Sequence, residues 1–239
     1  MAFLVRPVDC LVTNVLELYS REAIRNAKLI ANPGCYATNM QMLLAPLLPH
    51  TDLSRLPTVV GISGYSGAGT KSGGRPTPGE RPVTLPKLDP ASLSGAVRPY
   101  ALTDHIHERE ARYHLSSLAP QGSQVEVAFT PMVAPWFQGI ISTAVVPLAT
   151  KLSARDVKQL YEDKYGDEKL VEILPQVPEI SDIAHKHGFK VGGVQVHSSG
   201  DHVVVVGVID NLLKGAATQC LQNLNLALGF DEHAGIPLL

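Results

Sequence analysis

Cysteine is scarce in this chain of 239 residues: Cys10, Cys35 and Cys220 stand too far apart for a disulfide framework, and no CxxC pair offers a zinc ligand set. That pattern fits a reducing compartment, and no metal is expected. Aromatic residues make up 5% of the chain, and no apolar run approaches the roughly 20 residues that span a bilayer. Positive charge is not concentrated either. Twenty Lys and Arg against 22 Asp and Glu leave a net charge of −2 with no basic block, so neither nucleic acid nor a membrane is an expected partner. The opening, MAFLVRPVDCLVTNVLELYS, holds one Arg and is interrupted by Asp9 and Glu17, which makes it a poor signal or transit peptide.

What remains is a globular composition, with 45% hydrophobic and 18% charged residues and enough length for a real core. Strand-like runs rich in Val, Ile and Thr occur at Thr58 to Gly64, Gln124 to Thr130, Gly139 to Leu148, Lys190 to His197 and His202 to Ile209. Helical periodicity follows Cys35 and recurs from Asp104 to about Leu118, Ser153 to about Tyr165 and Leu212 to Leu228. The stretch from Ser66 to Pro90 is too full of Gly and Pro for regular structure, and a loop of that length in a compact domain is more often functional than idle. Strands from Gln124 to Leu148 follow one another without a helix. The expected class is therefore α+β, a mixed, largely antiparallel sheet with helices on one face.

The stretch KLIANPGCYATNMQMLLAPLL puts Cys35 in or just before a first helical turn: Asn32, Pro33 and Gly34 form a turn, and Met40, Leu43, Leu44, Leu47 and Leu48 then repeat at helical spacing. Unpaired N–H groups and the positive end of the helix dipole lower a thiol pKa at such a place and can receive an oxyanion. A free cysteine also packs as an apolar filler, and both readings stand on this stretch alone.

Three further stretches bear on chemistry. The loop TVVGISGYSGAGTKSGG fails the P-loop pattern, because Thr70 occupies the lysine position and Pro76, Pro78 and Pro82 forbid the helix. It also lacks the dinucleotide fingerprint, which leaves a flexible loop or one whose backbone, with Ser63 or Ser66, approaches a substrate. In RPYALTDHIHEREARYHL, Thr103 or Asp104 can cap a helix. His105 and His107 would be about 200° apart around that helix, too far to share a metal, and His105 at its start is placed to serve as a general acid and base. His107 shares a face with Glu110 at i+3. After Asp210 and Asn211, the small residues Gly215, Ala216 and Ala217 allow close approach of a backbone or a planar ligand, or plain packing.

Five stretches in order, ANPGCYAT, SGYSGAG, HIHEREA, FTPMVAPWFQGI and IDNLLKGAATQCLQNLNLALG, resemble the N-acetyl-gamma-glutamyl-phosphate reductases of arginine biosynthesis, in wording most like the fungal mitochondrial form. The resemblance runs from about Leu16 to the C-terminus. It implies a fold like the catalytic domain of glyceraldehyde-phosphate and semialdehyde dehydrogenases. It also implies NADPH-dependent reduction of N-acetyl-gamma-glutamyl phosphate to N-acetylglutamate semialdehyde through a thioacyl enzyme. Cys35 matches the nucleophile, His105 the acid and base, and Asn211 the residue that meets the nicotinamide. Ser63, Gly64, Ser66 and Gly67 match a substrate-lining loop.

The resemblance further implies a homo-oligomer, a mitochondrial matrix location if the chain is of the fungal type and a cytoplasmic one otherwise, and leaves room for an association with acetylglutamate kinase. Many bacterial members have His and Arg where this chain has Met132 and Gln138. The family also begins with a Rossmann half carrying the glycine fingerprint. The expected division is an unmatched segment at residues 1–15, a catalytic and dimerisation domain at 16–209, and at 210–239 a closing helix that packs on the cofactor half. That helix should expose an apolar face if the cofactor half is absent, and a catalytically silent dimerising module is the alternative reading.

Overall fold

In the computed structural model, residues 11–13, 15–68, 90–120 and 123–239 are described. Most of the unmatched N-terminal segment, Cys10, and the Gly/Pro-rich stretch from Gly69 to Asp89 lie outside them. In chain order the elements are β1 (Leu11–Thr13), α1 (Arg21–Arg25), β2 (Leu29–Ala31), α2 (Cys35–Leu44), β3 (Thr58–Gly64), β4 (Arg98–Pro99) and α3 (Ile106–Leu118). They continue with β5 (Ala128–Ala134), β6 (Ile140–Pro147), α4 (Ala154–Tyr165), β7 (Val171–Ile173), α5 (Ile180–Ile183), β8 (Phe189–Val196), β9 (His202–Ile209) and α6 (Thr218–Ala227).

Seven strands form one sheet in the order β4-β5-β3-β6-β9-β8-β7, with β3 parallel to β5, β7 parallel to β8 and every other neighbouring pair antiparallel. The mixed, largely antiparallel sheet expected from the sequence is therefore present. Period-two burial selects one face. The register sets Phe129 beside Val59, Val59 beside Ala144, Ala144 beside Val205, and Ile140 beside Ile209, and all of these are buried. Onto them pack Tyr36, Met40 and Leu43 of α2, Ala111 and Leu115 of α3, and Val157, Tyr161 and Tyr165 of α4. The Tyr161 and Tyr165 hydroxyls donate to the carbonyls of Leu43 and Met42, so α4 and α2 are tied as well as packed. Gly61 makes room for the Tyr36 ring: a Cβ there would sit 2.5 Å from it.

Three sequence expectations shift. The strand expected at Gln124 to Thr130 begins at Ala128, because the Val125 N–H goes to Ser116 Oγ rather than to a ladder while Val125 and Val127 bury in the core. β5 and β6 follow one another in sequence but are not neighbours in the sheet, since β3 lies between them. The link from Ala134 to Gly139 wraps the end of β3, where the Gly64, Tyr65 and Ser66 N–H groups donate to the carbonyls of Gly139, Trp136 and Phe137. The helix after Cys35 is α-helical only to Leu44, and its apolar period continues to Leu48 in a 3₁₀ turn holding Pro46 and Pro49.

A second sheet is small. β1 and β2 pair in parallel with α1 between them, and Leu16, Ile24 and Ile30 pack there with Leu226 of α6. The closing helix is also not uniform: a π-helical turn, Leu213–Ala217, precedes α6.

Candidate active site

Asn32, Pro33 and Gly34 lead into α2, where Gly34 is the extended cap and Cys35 the first helical residue. Two residues of α3 grip that cap. The Gly34 N–H donates to Glu110 Oε1 at 3.0 Å, and the His107 ring lies so close that a Cβ on Gly34 would be 2.3 Å from Nε2. From the other side comes the π-helical turn, where a Cβ on Gly215 would stand 2.7 Å from Cys35 Cβ. Cys35 is therefore set between α3 and the start of the C-terminal helix.

Burial pushes the Cys35 thiol up to about 11, against the backbone N–H groups of Tyr36 and Cys35, which lower it; the Glu110 carboxylate raises it further. The helix start acts in the direction the sequence predicts, yet desolvation outweighs it. At neutral pH the resting form is the thiol, and a reaction at Cys35 needs somewhere for that proton to go.

The histidines sit differently from their expected places. His105 is itself the cap of α3, in extended conformation after Asp104 at φ 59°, and its Nδ1 accepts the His107 N–H at 3.2 Å. Thr103 and Asp104, which the sequence offered as caps, fall outside. Because His105 leaves the helix, its ring centroid comes within 4.9 Å of that of His107, far from the opposite-face arrangement of a regular helix. With Nδ1 accepting, the proton of neutral His105 resides on Nε2, 3.5 Å from the Tyr100 hydroxyl. Burial lowers the pKa of His105, and burial together with His105 pushes His107 down to about 4. The rings of Tyr36, Tyr100 and Phe129 wall His105 edge-on at 5.6–6.2 Å.

The loop residues gather around Asn211. Its Oδ1 accepts the Gly139 N–H at 2.7 Å and its Nδ2 donates to Ser66 Oγ at 2.9 Å. Ser63 Oγ donates to the Gly64 carbonyl, and a Cβ on Gly67 would sit 2.6 Å from that hydroxyl oxygen. Ser63, Gly64, Ser66, Gly67 and Asn211 thus form one group, and the turn that follows Asn211 carries Gly215 onto Cys35. Met132 contributes its carbonyl to the Tyr36 hydroxyl. Gln138 Nε2 donates to Asp210 Oδ2 at 2.5 Å and lies 3.0 Å from His185 Nδ1; Asp210 Oδ1 also accepts the N–H groups of Leu212 and Leu213.

Sequence reasoning gave no role to Tyr100 or Asp210, marked Gly215 for close approach without saying to what, and read the His107–Glu110 pair as ordinary helix contact. The pair's shared face was the available signal. What it faces, the cap before Cys35, is long-range information.

The family model that matches is the dimerisation domain of semialdehyde dehydrogenases, over residues 35–211, from Cys35 to Asn211. This chain belongs to the semialdehyde dehydrogenase family. Among its relatives, Protein arg-6, mitochondrial, of Neurospora crassa is 48% identical over 93% of this chain and 23% of its own length. The N-acetyl-gamma-glutamyl-phosphate reductase of Xanthomonas euvesicatoria pv. vesicatoria is 47% identical over 91% of this chain and 62% of its own length. The chain thus spans less than two thirds of these curated relatives, and both kinds are those the five motifs resemble.

Solved structures agree on the semialdehyde dehydrogenase fold. Aspartate semialdehyde dehydrogenase II of Vibrio cholerae superposes with a TM-score of 0.66 at 21% identity, over 92% of this chain and 68% of that one. The Francisella tularensis enzyme gives 0.67 at 16%, over 90% and 70%.

Proposed function

We propose that this chain carries the catalytic and dimerisation part of an NADPH-dependent reductase that converts N-acetyl-gamma-glutamyl phosphate to N-acetylglutamate semialdehyde. The observation that carries the reading is Cys35 at the first position of α2, its cap held by Glu110 and His107 with neutral His105 beside them. It supports the reading because relatives of that name are 47% identical across nearly the whole chain.

The chemistry follows from the residues. Cys35 gives up its proton, which the departing phosphate carries away, and its sulfur adds to the acyl phosphate carbon. The first-turn N–H groups of α2, free of helical partners, receive the oxyanion. The oxyanion collapses, the carbon–oxygen bond to phosphate breaks and phosphate leaves, so that Cys35 holds a thioester. NADPH, when bound, supplies the hydride that takes this acyl group to the aldehyde level, and the Cys35 thiolate then departs. His105 Nε2–H is the donor suited to the carbonyl oxygen, because burial keeps the ring neutral at pH 7 and its Nδ1 is already engaged. Ser66 Oγ still has its own proton to donate to substrate while accepting from Asn211.

Asn211 fits the nicotinamide end. Its amide keeps one donor hydrogen and one acceptor lone pair beyond those used by Ser66 and Gly139, enough for a carboxamide. Among the described residues nothing answers to a pyrophosphate cradle. The parallel β1–β2 pair supports a continuation of that sheet as the place for the rest of the dinucleotide, because parallel sheets are rarely so small or so open. Exposed Leu29, Leu224, Leu228 and Phe230 support the same reading, in which residues 210–239 close onto a cofactor half.

The outer face of the large sheet, with Val145 exposed and Val60, Ile62 and Ile141 partly so, suits a second copy of the chain. A mitochondrial location follows the fungal relatives. Phosphate-dependent NADP reduction with N-acetylglutamate semialdehyde tests the activity. Wild-type turnover that falls at least about 10³-fold in Cys35→Ser supports the reading, and turnover that survives the substitution refutes it.

A further inference from the structure

The π-helical turn that seats Gly215 against Cys35 contains a fully buried lysine. Lys214 Nζ donates to Glu17 Oε1 and to Gln222 Oε1, each at 2.6 Å, and the side chains of Lys214 and Glu17 are 0% and 1% exposed. The turn itself is held by i→i−5 bonds, Gly215 N–H to the Asp210 carbonyl and Ala217 N–H to the Leu212 carbonyl. Its next residue reaches the other side of the cysteine turn, where Asn32 Nδ2 donates to the Ala216 carbonyl, and Asn223 Nδ2 in turn donates to Asn32 Oδ1.

The anchor continues outward. Gln222 Nε2 donates to Glu232 Oε1 at 2.9 Å, and Arg21 bridges Glu232 and Glu168. Each anion of this network thus has a cation or amide, and no metal is required to hold the three carboxylates together.

Such a pair is an odd choice for stability alone. Burying two charges carries a desolvation penalty that a well-packed apolar pair avoids, and Glu17 Oε2 is left buried without a hydrogen-bond partner. What an ion pair adds is direction, since Lys214 can satisfy its donors only where the turn lies in one position. We propose that Lys214 and Glu17 form a buried latch that presses the 213–217 turn onto Cys35, which makes Lys214 a positioning residue for that thiol. The inference rests on the reading of Cys35 as the reacting group, and it concerns how the thiol is held rather than what it attacks.

Its test needs neither substrate nor cofactor. Iodoacetamide labelling of the full chain at pH 8, resolved to the Cys35 peptide by mass spectrometry, reads how firmly the turn covers the thiol. Lys214→Met with Glu17→Leu removes both charges together, so no unpaired charge remains to unfold the protein. Glu17→Asp keeps the charge and shortens the reach by one methylene.

The expected result is an unchanged thermal midpoint for the double variant with Cys35 labelling about tenfold faster, and an acceleration of about threefold in Glu17→Asp. Folded variants that label at the wild-type rate overturn the latch. So does an acceleration seen only in a double variant that has lost its thermal transition, with Glu17→Asp at the wild-type rate. Failure of the reductase reading would appear separately, as turnover that survives Cys35→Ser.

Discussion

The backbone N–H of Gly34 donates to the Glu110 carboxylate at 3.0 Å, so α3 holds the cap of the helix that carries Cys35. Two elements far apart in sequence thereby share one joint, and the substitutions that disturb it are specific. Burial raises the Glu110 pKa, with the Gly34 N–H opposing. A carboxyl whose folded pKa lies above its unfolded value favours folding when protonated, and that contribution disappears as pH rises through the folded pKa. Glu110→Gln keeps an acceptor for Gly34 and removes the charge, so at pH 7 it should match or exceed wild-type stability in urea unfolding. Glu110→Ala should lose about 1–3 kcal/mol by leaving the Gly34 N–H unpaired. An Ala variant as stable as the Gln variant would show that the bond does not hold the cap.

Gly34→Ala should be more damaging than a glycine-to-alanine change at an ordinary helix cap, because the new Cβ meets the His107 ring at 2.3 Å. A loss of about 1–3 kcal/mol is expected from overpacking. Adding His107→Ala should recover part of it, and a double-mutant cycle measured by denaturant unfolding gives the coupling. Strict additivity would contradict the contact.

Asn211 joins two strands to the loop, so its variants should separate. Asn211→Ala leaves the buried Gly139 N–H without an acceptor and should cost about 1–3 kcal/mol. Asn211→Asp keeps that acceptor, loses the donation to Ser66 and adds a charge to which the Gly139 N–H and the Ser66 hydroxyl can both donate, so it should be the more stable of the two while its turnover remains below wild type. Equal stability of the two would mean that the Gly139 bond is not formed.

Acid should destabilise the fold before the carboxylates titrate. Burial lowers the pKa of His114 to about 4, and burial with His105 does the same to His107. Neutral imidazoles are then favoured in the folded state and protonated ones in the unfolded state. Their contribution is complete above pH 6.5 and is lost as pH falls toward 4. Unfolding free energies measured across that window should fall with pH, and His114→Phe should flatten the slope. An unchanged slope would remove His114 from the account.

Much of this site was legible from the residues themselves. The turn at Asn32 to Gly34, followed by helical periodicity, placed Cys35 within a residue of its observed position, and the Val-rich runs located β3, β6, β8 and β9. Local pattern failed where long-range contacts decide. Val125 and Val127 alternate like a strand, but the Val125 N–H goes to Ser116 of α3 and both side chains bury in the core. The β5-β3-β6 order depends on a link that wraps a third strand. The thiol pKa followed the helix end in the sequence argument, whereas burial decides it in the fold. His107 and Glu110 share a face in any helical reading, and only the folded chain brings Gly34 to that face.

If Cys35 accepts the acyl group, a covalent adduct on it can be trapped. The chain is incubated with N-acetyl-gamma-glutamyl phosphate without NADPH, quenched in acid and mapped by peptide mass spectrometry. The account predicts a hydroxylamine-sensitive acyl group on the Cys35 peptide, absent from Cys35→Ser. Acylation at another residue, or an unmodified Cys35 with the substrate consumed, would contradict it.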